Sequence, residues 1–179
     1  GDENDIHEFA TIHRATGENC ETRIGSHNML QAYTHVAHNS NFGDYIVVSS
    51  FSGVAGHVTV EDHAVIGAMS GVHQFVKIGA FAMIGGMSKI VQDVCPFVIA
   101  DGNPARVVGL NAVGIARNKI PAESKSALKK AYRLIFRSGL KLNDAIQEME
   151  QELPSTPEIE HLLRFLRNCD RGLCRTRDR

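Results

Sequence analysis

The sequence predicts an all-β parallel β-helix of six-residue repeats, followed by a helical C-terminal domain. Every sixth residue from Ile24 to Ile90 is apolar, twelve positions in a row without one polar residue. A period of six fits neither an α-helix nor a simple alternating strand, and it is typical of a hexapeptide β-helix. Further along the chain, apolar spacings of three and four predict helices. We therefore predict a coil over residues 1–106 and a connector with a helical domain over residues 107–179.

A second set of residues fits the interior of such a coil. Four residues after each apolar position stands a residue that is small or β-branched in most repeats, from Thr34 to Val94. Five glycines follow directly after an apolar position, where we expect a sharply turning chain to use their freedom in φ. These are Gly25, Gly43, Gly67, Gly79 and Gly85.

The coil has recognisable ends. Residues 1–14 keep the period through Ile6 and Ile12, whereas residues 16–23 have no apolar residue in phase and are predicted to form an external loop. The chain begins without Met and with a repeat that lacks its leading aliphatic residue, so we expect a fragment without its earlier coils and an unpaired edge at the first strand. The turn-rich segment 101–105 is predicted to close the β-helix, and residues 107–119 to form the connector.

Three amphipathic helices are predicted in the C-terminal domain. The first contains Leu128 and Ile135, and Gly139 is expected as its C′ residue. The second is expected to begin at Asn143 as its cap, and the third at Thr156, with proline in its first turn. Helices this short hold no core alone, so we expect them to pack on each other, on the coil or on a neighbouring subunit.

Composition limits the class of protein. The chain has 179 residues and a formal net charge of −1, which suits one domain with an appendage. Residues 1–103 carry eleven acidic and four basic side chains, whereas residues 104–179 carry nine acidic and fifteen basic ones. A partner rich in phosphate or carboxylate would favour the basic end. The four cysteines lack CxxC spacing, which indicates a reduced, cytosolic setting, and no apolar run reaches the length of a membrane span.

Eight of the nine histidines lie within the first 73 residues. In a triangular coil, a shape inferred from known hexapeptide folds, residues 18 apart are vertical neighbours at the strand spacing of about 4.8 Å. The valines at 36, 54 and 72 would then stack, and polar side chains beside them would form a ladder along one edge. The ladder consists of His35, His38, His57, His73 and Gln74. A single outward histidine is usually only a surface residue, but several on one edge predict a site.

Such a ladder has two chemical uses. A neutral imidazole can take a proton from an attacking hydroxyl near neutral pH, and three histidines can bind zinc. The residues alone leave both uses open. Because the edge of a prism is convex and a site needs a cleft, we expect a second subunit alongside, most simply in a cyclic trimer.

Several runs of residues resemble the acyl-ACP:UDP-N-acetylglucosamine O-acyltransferase family. The most specific are the paired histidines His35 and His38 within residues 28–38, the GVHQF run at residues 71–75 and the closing helical segment. The other runs are residues 54–58, 84–86, 102–104, 111–114, 131–139 and 171–173, so the resemblance covers essentially the whole chain.

The resemblance implies a left-handed β-helix that forms a homotrimer with active sites between subunits. It implies an enzyme in the cytoplasm of a Gram-negative bacterium that transfers a 3-hydroxyacyl chain from acyl carrier protein to the 3-hydroxyl of UDP-N-acetylglucosamine. This reaction begins lipid A biosynthesis, and it involves no cofactor, no metal, no nucleic acid and no insertion into the membrane.

The resemblance also implies roles for individual residues. His38 is expected to be the general base, and the N–H of Gly56 is expected to stabilise the oxyanion. Gly86 matches the floor of the acyl channel. The expected substrate contacts are His35, Asn39, His57, His73, Gln74, Asn111 and Arg117, the last two for the nucleotide sugar.

The sequence departs from the family pattern at two positions. Asn39 stands where aspartate is common, which removes a negative charge that would favour the imidazolium form of His38. Asn118 stands where a second arginine often follows Arg117, and we expect weaker binding of the diphosphate. The amino-terminal coils that supply further substrate contacts are absent from this chain.

Three other functions stay open from the sequence. One is a related hexapeptide acyltransferase that uses a different sugar nucleotide, for example a 3-amino sugar. Another is a metal-dependent β-helix trimer of the carbonic anhydrase type, in which the histidines would be ligands. The third is a purely structural β-helix, which gives no reason for the GVHQF and GNPA segments.

Overall fold

The computed structural model describes residues 1–176. The coil consists of fourteen two-residue strands, and a hairpin of two longer strands follows it. The strands are β1 (Asp5–Ile6), β2 (Thr11–Ile12), β3 (Arg23–Ile24), β4 (Met29–Leu30), β5 (His35–Val36), β6 (Asn41–Phe42), β7 (Val47–Val48), β8 (Gly53–Val54), β9 (Thr59–Val60), β10 (Val65–Ile66), β11 (Gly71–Val72), β12 (Lys77–Ile78), β13 (Met83–Ile84), β14 (Lys89–Ile90), β15 (Val98–Gly102) and β16 (Ala105–Leu110). The helices are α1 (Ala112–Arg117), α2 (Ala122–Phe136), α3 (Leu142–Glu152) and α4 (Pro157–Arg167).

The strands form three parallel sheets, one on each side of a triangular coil. The first sheet is β1-β4-β7-β10-β13-β15, to which β16 adds an antiparallel strand. The second sheet is β2-β5-β8-β11-β14, and the third is β3-β6-β9-β12. These sheets and the helices that follow them confirm the predicted fold class, a left-handed parallel β-helix with C-terminal helices.

The register confirms that residues 18 apart are vertical neighbours. Val54 pairs with Val36 below it and with Val72 above it. The spacing is 24 in the first rung, where Ile12 pairs with Val36, because the segment between β2 and β3 adds six residues. The predicted loop therefore lengthens one turn of the coil by six residues, but the strands before and after it still pair in parallel.

Both predicted interior positions are buried. The side chains at the sixth-residue positions from Leu30 to Ile90 are at most 3% exposed, and so are those four residues later, from Thr34 to Val94. Buried serines in the second set keep hydrogen bonds to backbone carbonyls, as Ser52 does with Gly67 and Ser70 with Gly85. These serines are tolerated inside the coil because their hydroxyls have these partners.

The prediction that these glycines supply an unusual φ for the turns of the coil is wrong. The left-handed φ falls on non-glycine residues three positions after each interior residue, for example at Tyr33 (φ 60°), Asn39 (φ 61°) and His57 (φ 61°). The glycines directly after the interior residues are needed for space. A Cβ at Gly79 would lie 2.5 Å from the ring of Pro96 in the next rung.

The β-helix ends later than the sequence predicts. Residues 105–110 belong to strand β16, which pairs antiparallel with β15. The predicted connector at residues 107–119 is therefore the end of this hairpin followed by the short helix α1. Strand β16 covers the last rung by pairing antiparallel with β15 after a short turn. Such a hairpin does not follow the six-residue period, so the repeat does not predict it.

The three predicted helices are present as α2, α3 and α4. Thr156 caps α4, as predicted, by accepting a hydrogen bond from the backbone N–H of Ile159. The predicted cap of α3 is wrong, because Asn143 lies within its first turn and Lys141 is the capping residue. Gly139 has a φ of 80°, but α2 already ends at Phe136, so this glycine lies beyond the C′ position.

The C-terminal segment packs against the coil on the side of the third sheet. Lys77 on β12 forms an ion pair with Asp170 at 2.5 Å, and His161 on α4 contacts Glu61 at 2.8 Å. Asp93 is fully buried and accepts hydrogen bonds from the backbone N–H groups of Lys77 and Arg171. Among residues 1–176, no helix combines the length and apolar character needed to cross a bilayer.

Candidate active site

A groove runs along the outer face of the second sheet. It has a volume of about 560 Å³. We call it the histidine groove, and its lining residues include His35, Gly53, Gly56, Gly71, His73 and Lys89. Gly53 and Gly71 leave the floor open, because a Cβ built on either residue would meet no atom within 4 Å. Two of the predicted histidines and the predicted oxyanion residue therefore lie in one groove.

His38 lies on the corner between the second and third sheets, directly against Gly56. A Cβ on Gly56 would lie 2.9 Å from the Nε2 and Cε1 atoms of the His38 ring, so only glycine leaves room for the imidazole. The N–H of Gly56 has no acceptor in the backbone hydrogen-bond network of residues 1–176. The predicted base and the predicted oxyanion donor are thus vertical neighbours.

Asn39 and Thr16 fix the orientation of the His38 ring. The Asn39 side chain exchanges two hydrogen bonds with the backbone of Thr16, both at 3.1 Å, so its Oδ1 is identified as an acceptor. This Oδ1 lies 2.7 Å from Nδ1 of His38, which must then carry the hydrogen in the neutral ring. The Thr16 hydroxyl adds a contact of 3.3 Å to the same Nδ1. The lone pair of the neutral imidazole is therefore on Nε2, beside Gly56.

His57 and Gln74 extend the same corner. The ring centroids of His57 and His38 are 5.3 Å apart in a T-shaped arrangement, and the N–H of His57 donates to the carbonyl of His38. His57 also stacks on Phe75 at 4.8 Å. Gln74 is exposed one rung above Gly56. The predicted ladder is present, but His38 stacks over Gly56 and Gln74, while Asn39, His57 and Phe75 form the parallel stack beside it.

His35 lies on strand β5 in the wall of the histidine groove. Burial lowers the pKa of His35 from its ordinary value, and the neighbouring charge of His13 lowers it further. The His13 ring stands edge-on at a centroid distance of 4.5 Å. The Thr11 hydroxyl lies 2.8 Å from Nδ1 of His35. A lowered pKa keeps this imidazole neutral at neutral pH, when it can both accept and donate hydrogen bonds.

His73 is contacted by the C-terminal segment. Its Nδ1 lies 3.3 Å from the guanidinium of Arg171 and 3.2 Å from the carbonyl of Gln74. The guanidinium can only donate and the carbonyl can only accept, so Nδ1 of His73 accepts from Arg171 in one tautomer and donates to the carbonyl of Gln74 in the other. The end of the chain thereby reaches the mouth of the histidine groove.

A second groove lies on the outer face of the first sheet. It has a volume of about 540 Å³, and its lining residues include Tyr45, His63, Met83, Asn111, Arg117 and Asn118. We call it the asparagine groove. In one chain, the structure therefore places Asn111 and Arg117 on a different side of the prism from the histidines.

Asn111 and Arg117 are held very differently. Asn111 caps α1 by accepting from the N–H of Gly114, and its amide donates to the carbonyl of Phe81, both at 2.9 Å. Half of its hydrogen-bonding capacity is thus structural. Arg117, in the last turn of α1, is exposed and has no carboxylate partner among residues 1–176. It is available to bind an anionic ligand.

Gly86 lies on the corner between the first and second sheets. It is exposed, and a Cβ at this position would lie 3.3 Å from the carbonyl oxygen of Ala68. It does not line either groove. The corner is nevertheless the edge of the second sheet opposite the His38 corner, so Gly86 lies across that face from the catalytic candidates.

Two other kinds of reactive group are possible metal ligands and cysteine thiols. No group of three or more His, Cys, Asp or Glu side chains within residues 1–176 is arranged to hold a metal ion. Burial is the main cause that raises the pKa of Cys95, Cys174 and Cys169, to about 12 for Cys169. These thiols therefore stay protonated at neutral pH.

Sequence reasoning missed several residues of the site. Thr11, His13 and Thr16 precede the added six residues, so they stand outside the spacing of 18 that groups the other candidates. Arg171 joins the site from the far end of the chain, where no period relates it to the coil. Lys89 is the exception that the repeat could have given, because it is 18 residues after Gly71 in the same sheet.

Several known proteins are similar to this chain in sequence. A family model described as UDP-N-acetylglucosamine O-acyltransferase, domain 2, matches residues 93–174. An acyl-[acyl-carrier-protein]–UDP-N-acetylglucosamine O-acyltransferase of Fusobacterium nucleatum is 57% identical over 164 residues, which are 92% of this chain and 64% of that protein. The enzyme of the same name from Thermodesulfovibrio yellowstonii is 46% identical over 177 residues, 98% of this chain and 68% of that protein.

Solved structures are similar over nearly the whole chain. LpxA from Acinetobacter baumannii has a TM-score of 0.92 and 43% identity, and the match covers 97% of this chain and 68% of that one. UDP-N-acetylglucosamine acyltransferase from Arabidopsis has a TM-score of 0.91 and 36% identity, covering 97% and 64%. The chain spans 60–69% of the length of the curated relatives it matches.

Proposed function

Because the chain belongs to the acyl-ACP–UDP-N-acetylglucosamine O-acyltransferase family, we propose that the protein transfers a 3-hydroxyacyl chain from acyl carrier protein to the 3-hydroxyl of UDP-N-acetylglucosamine. This is the first step of lipid A biosynthesis. The observation that carries the proposal is the pairing of His38 and Gly56. A basic Nε2 and a backbone N–H lie side by side at the end of an open groove.

The proposed reaction assigns one step to each of these groups. Nε2 of His38 removes the proton from the sugar 3-hydroxyl while its oxygen attacks the thioester carbonyl carbon. The N–H of Gly56 stabilises the negative oxygen of the tetrahedral intermediate. When the carbon–sulfur bond breaks, the imidazolium returns its proton to the departing thiolate. An ester and a free thiol are formed, and the enzyme is unchanged.

The two grooves support a cyclic homotrimer. In one chain the base is on the second sheet, while the groove that can bind a sugar nucleotide is on the first sheet. We propose that the first sheet of one subunit packs against the second sheet of the next, in a heterologous contact that cyclic symmetry repeats. The His38 corner then lies beside the neighbouring chain's asparagine groove, and each complete site needs two subunits.

The predicted contacts divide between the two substrates. We propose that His35, His57, His73 and Gln74 contact the sugar and the thioester arm, while Arg117 and Asn111 contact the nucleotide diphosphate of the neighbouring site. Arg117 suits a diphosphate because its guanidinium is a planar fork of donors. Asn118 stands where a second arginine is common, so it adds no second positive charge. Its side-chain amide already donates a hydrogen bond to the carbonyl of Gly114.

The acyl donor and the cellular setting belong to the same proposal. The donor is expected to be carried by acyl carrier protein, and the excess of basic side chains in residues 104–179 would favour a partner surface rich in phosphate or carboxylate. We propose that the reaction needs neither a metal nor another cofactor, because an imidazole and a backbone amide supply all the required chemistry. The absence of disulfides among the four cysteines supports a cytoplasmic location.

The reaction can be tested directly with the full-length protein. We expect a 3-hydroxyacyl carrier protein and UDP-N-acetylglucosamine to give an O-acyl product, identified by mass spectrometry and cleaved by mild base. His38→Ala should reduce kcat by about 10²- to 10⁴-fold without changing the circular dichroism spectrum. Near-normal turnover of His38→Ala would overturn the assignment of the base. A base-stable product formed only with a 3-amino sugar nucleotide would favour the related acyltransferase instead.

A further inference from the structure

A segment near the end of the chain crosses the coil beside the histidine groove. We call residues 168–174 the strap. Its backbone is tied to Asp93, whose N–H donates to the carbonyl of Gly172 at 2.9 Å and whose carbonyl accepts from the N–H of Cys174 at 2.8 Å. The buried carboxylate of Asp93 also accepts from the N–H of Arg171 at 3.1 Å. Three hydrogen bonds to one buried residue therefore fix the course of the strap.

The strap contacts the column of residues that contains the proposed base. His38, Gly56 and Gln74 follow one another in this column at a spacing of 18, and Gln92 is its next member. A Cβ on Gly172 of the strap would lie 3.5 Å from Nε2 of Gln92, which is an ordinary contact distance. The strap therefore passes the column two rungs above Gly56.

The side chain of Arg171 extends from the strap to the histidine groove. Its guanidinium lies 3.3 Å from Nδ1 of His73, which lines the groove. Within residues 1–176, Arg171 forms no ion pair with a carboxylate, whereas its neighbour Asp170 pairs with Lys77. The backbone bonds and this ion pair already hold the strap in place. The contact between Arg171 and His73 therefore needs a different explanation.

Arg171 favours one neutral form of His73. Because a guanidinium can only donate, the contact is favourable only when Nδ1 of His73 has a free lone pair. The other neutral form would donate from Nδ1 to the carbonyl of Gln74 at 3.2 Å, and its hydrogen would face a guanidinium hydrogen. A charge-assisted hydrogen bond is about twice as strong as a neutral one, so the contact with Arg171 prevails. The hydrogen of the neutral ring is then on Nε2.

The two imidazoles of His38 and His73 are thus set in opposite forms. Asn39 holds the hydrogen of His38 on Nδ1, which leaves Nε2 as an acceptor that can remove a proton. Arg171 leaves the hydrogen of His73 on Nε2, which makes that nitrogen a donor. The floor of the groove between them is built from glycine, alanine and valine, whose side chains donate no hydrogen bond. His73 therefore supplies a donor that the floor lacks.

We propose that Arg171 is a positioning residue, which fixes His73 as a hydrogen-bond donor to a carbonyl oxygen of the acyl donor in the histidine groove. The inference rests on the proposed function, because it takes the acyl donor from it, and it goes further by giving the strap a role in the reaction. A carbonyl oxygen is the matching ligand, since a thioester and the amide groups of a pantetheine arm are acceptors. The apolar floor of the groove suits the rest of such a donor.

NMR can measure the form of His73 directly in the full-length protein. With isotope-labelled histidine, and at a pH where the imidazoles are neutral, a bare and a protonated ring nitrogen give well-separated nitrogen shifts. His73→Gln identifies the signals. We expect the hydrogen on Nε2 in the wild type and a substantial fraction on Nδ1 in Arg171→Met. Arg171→Lys keeps a cationic donor and should retain the wild-type pattern. A hydrogen on Nδ1 in the wild type, or the same pattern in Arg171→Met, would overturn the inference.

The kinetic test uses a second arginine of the C-terminal segment as its matched control. We expect Arg171→Met to lower kcat/KM for the acyl donor by about five- to tenfold, with KM for the nucleotide sugar unchanged, because one hydrogen bond to the donor is weakened. Arg175 donates to the carbonyl of Ile135 on α2 and not to the groove. Arg175→Met should leave both the donor kinetics and the signals of His73 unchanged. An equal loss in Arg175→Met, or a loss confined to the nucleotide sugar, contradicts the role of Arg171.

The role of Arg171 and the proposed reaction fail in different ways. If the wild type transfers the acyl chain but the ring of His73 is unaffected in Arg171→Met, only the role of Arg171 is rejected. If the ring changes its form as expected but the wild type transfers no acyl chain, the proposed reaction is rejected, and the control of His73 by Arg171 stands.

Discussion

The histidine groove and the asparagine groove have nearly the same volume, but the protein holds their polar groups in different ways. In the histidine groove, the reactive side chains stand on the rungs of the coil and are fixed by their vertical neighbours, as His38 is by Gly56 and Asn39. In the asparagine groove, Arg117 stands exposed on a six-residue helix outside the repeat. Under the proposed function, the coil carries the chemistry, where ångström precision matters, and the appended helix carries ligand binding.

Mixing two impaired variants, assayed at a nucleotide-sugar concentration well below KM, tests whether the grooves act together across subunits. His38→Ala should lower kcat by about 10²- to 10⁴-fold. Arg117→Ala should lower kcat/KM for the nucleotide sugar by about 10- to 100-fold, mainly through KM, because it removes a charge-assisted contact to phosphate. When the two variants are assembled at random into mixed trimers, we expect roughly a quarter of the wild-type kcat/KM to return, since one site in four then has both grooves intact.

The control for this experiment uses two changes in the same groove. Mixed trimers of His38→Ala with His38→Gln have no intact histidine groove and should stay inactive. If mixing His38→Ala with Arg117→Ala also restores nothing, while both variants remain trimeric, the two grooves do not form one site.

Gly86 tests how far the donor extends across the face of the second sheet. Gly86→Met should shift the preference toward shorter acyl donors, by about tenfold in the ratio of kcat/KM values, because the added side chain occupies the end of the proposed channel. Gly86→Ala should shift it less, because it adds only a Cβ, whose close approach of 3.3 Å to the carbonyl oxygen of Ala68 requires a shift of a few tenths of an ångström. Donor preference is measured by competition between acyl chains of different length. The same preference in all three proteins would remove Gly86 from the channel.

The repeat predicts the histidine groove better than the asparagine groove, because only the first is built entirely on the rungs of the coil. The period of six gives the interior residues, and a register of 18 relates His38, Gly56 and Gln74 through their spacing along the chain alone. The period fails where the chain leaves the repeat. His13 and Thr16 stand outside the spacing of 18 because of the added six residues, and strand β16, helix α1 and Arg171 depend on tertiary contacts that no periodic pattern encodes.

The glycines show a subtler limit. Their positions after the interior residues are correctly recognised as special, but the reason is close approach between rungs and not a left-handed φ. A sequence shows that a side chain is excluded, whereas only the structure shows which neighbour excludes it. The roles carried over to Asn39 and Asn111 are similar: both residues first hold the structure, one by fixing His38 and the other by capping α1.

Thr16 tests whether the orientation of the base depends on the loop before β3. Thr16→Val removes the hydroxyl that contacts Asn39 Oδ1 at 3.1 Å and His38 Nδ1 at 3.3 Å. Loss of one hydrogen bond worth about 1 kcal/mol predicts a roughly fivefold lower kcat with KM for both substrates unchanged. Thr16→Ser keeps the hydroxyl and should restore kcat. A Ser variant as slow as the Val variant would show that the hydroxyl alone does not maintain kcat, which contradicts this role.

The smallest effect concerns His35, and it separates the two causes of its shifted pKa. Burial is the larger cause and the charge of His13 the smaller, so His13→Gln should raise the pKa of His35 only part of the way to its ordinary value. The pKa is measured by an NMR titration of labelled histidine, assigned with His35→Gln. His63→Gln, in the asparagine groove of the same chain, is the control and should leave the titration of His35 unchanged. A full return to the ordinary pKa in His13→Gln would show that the imidazole pair, and not packing in the coil, keeps His35 neutral.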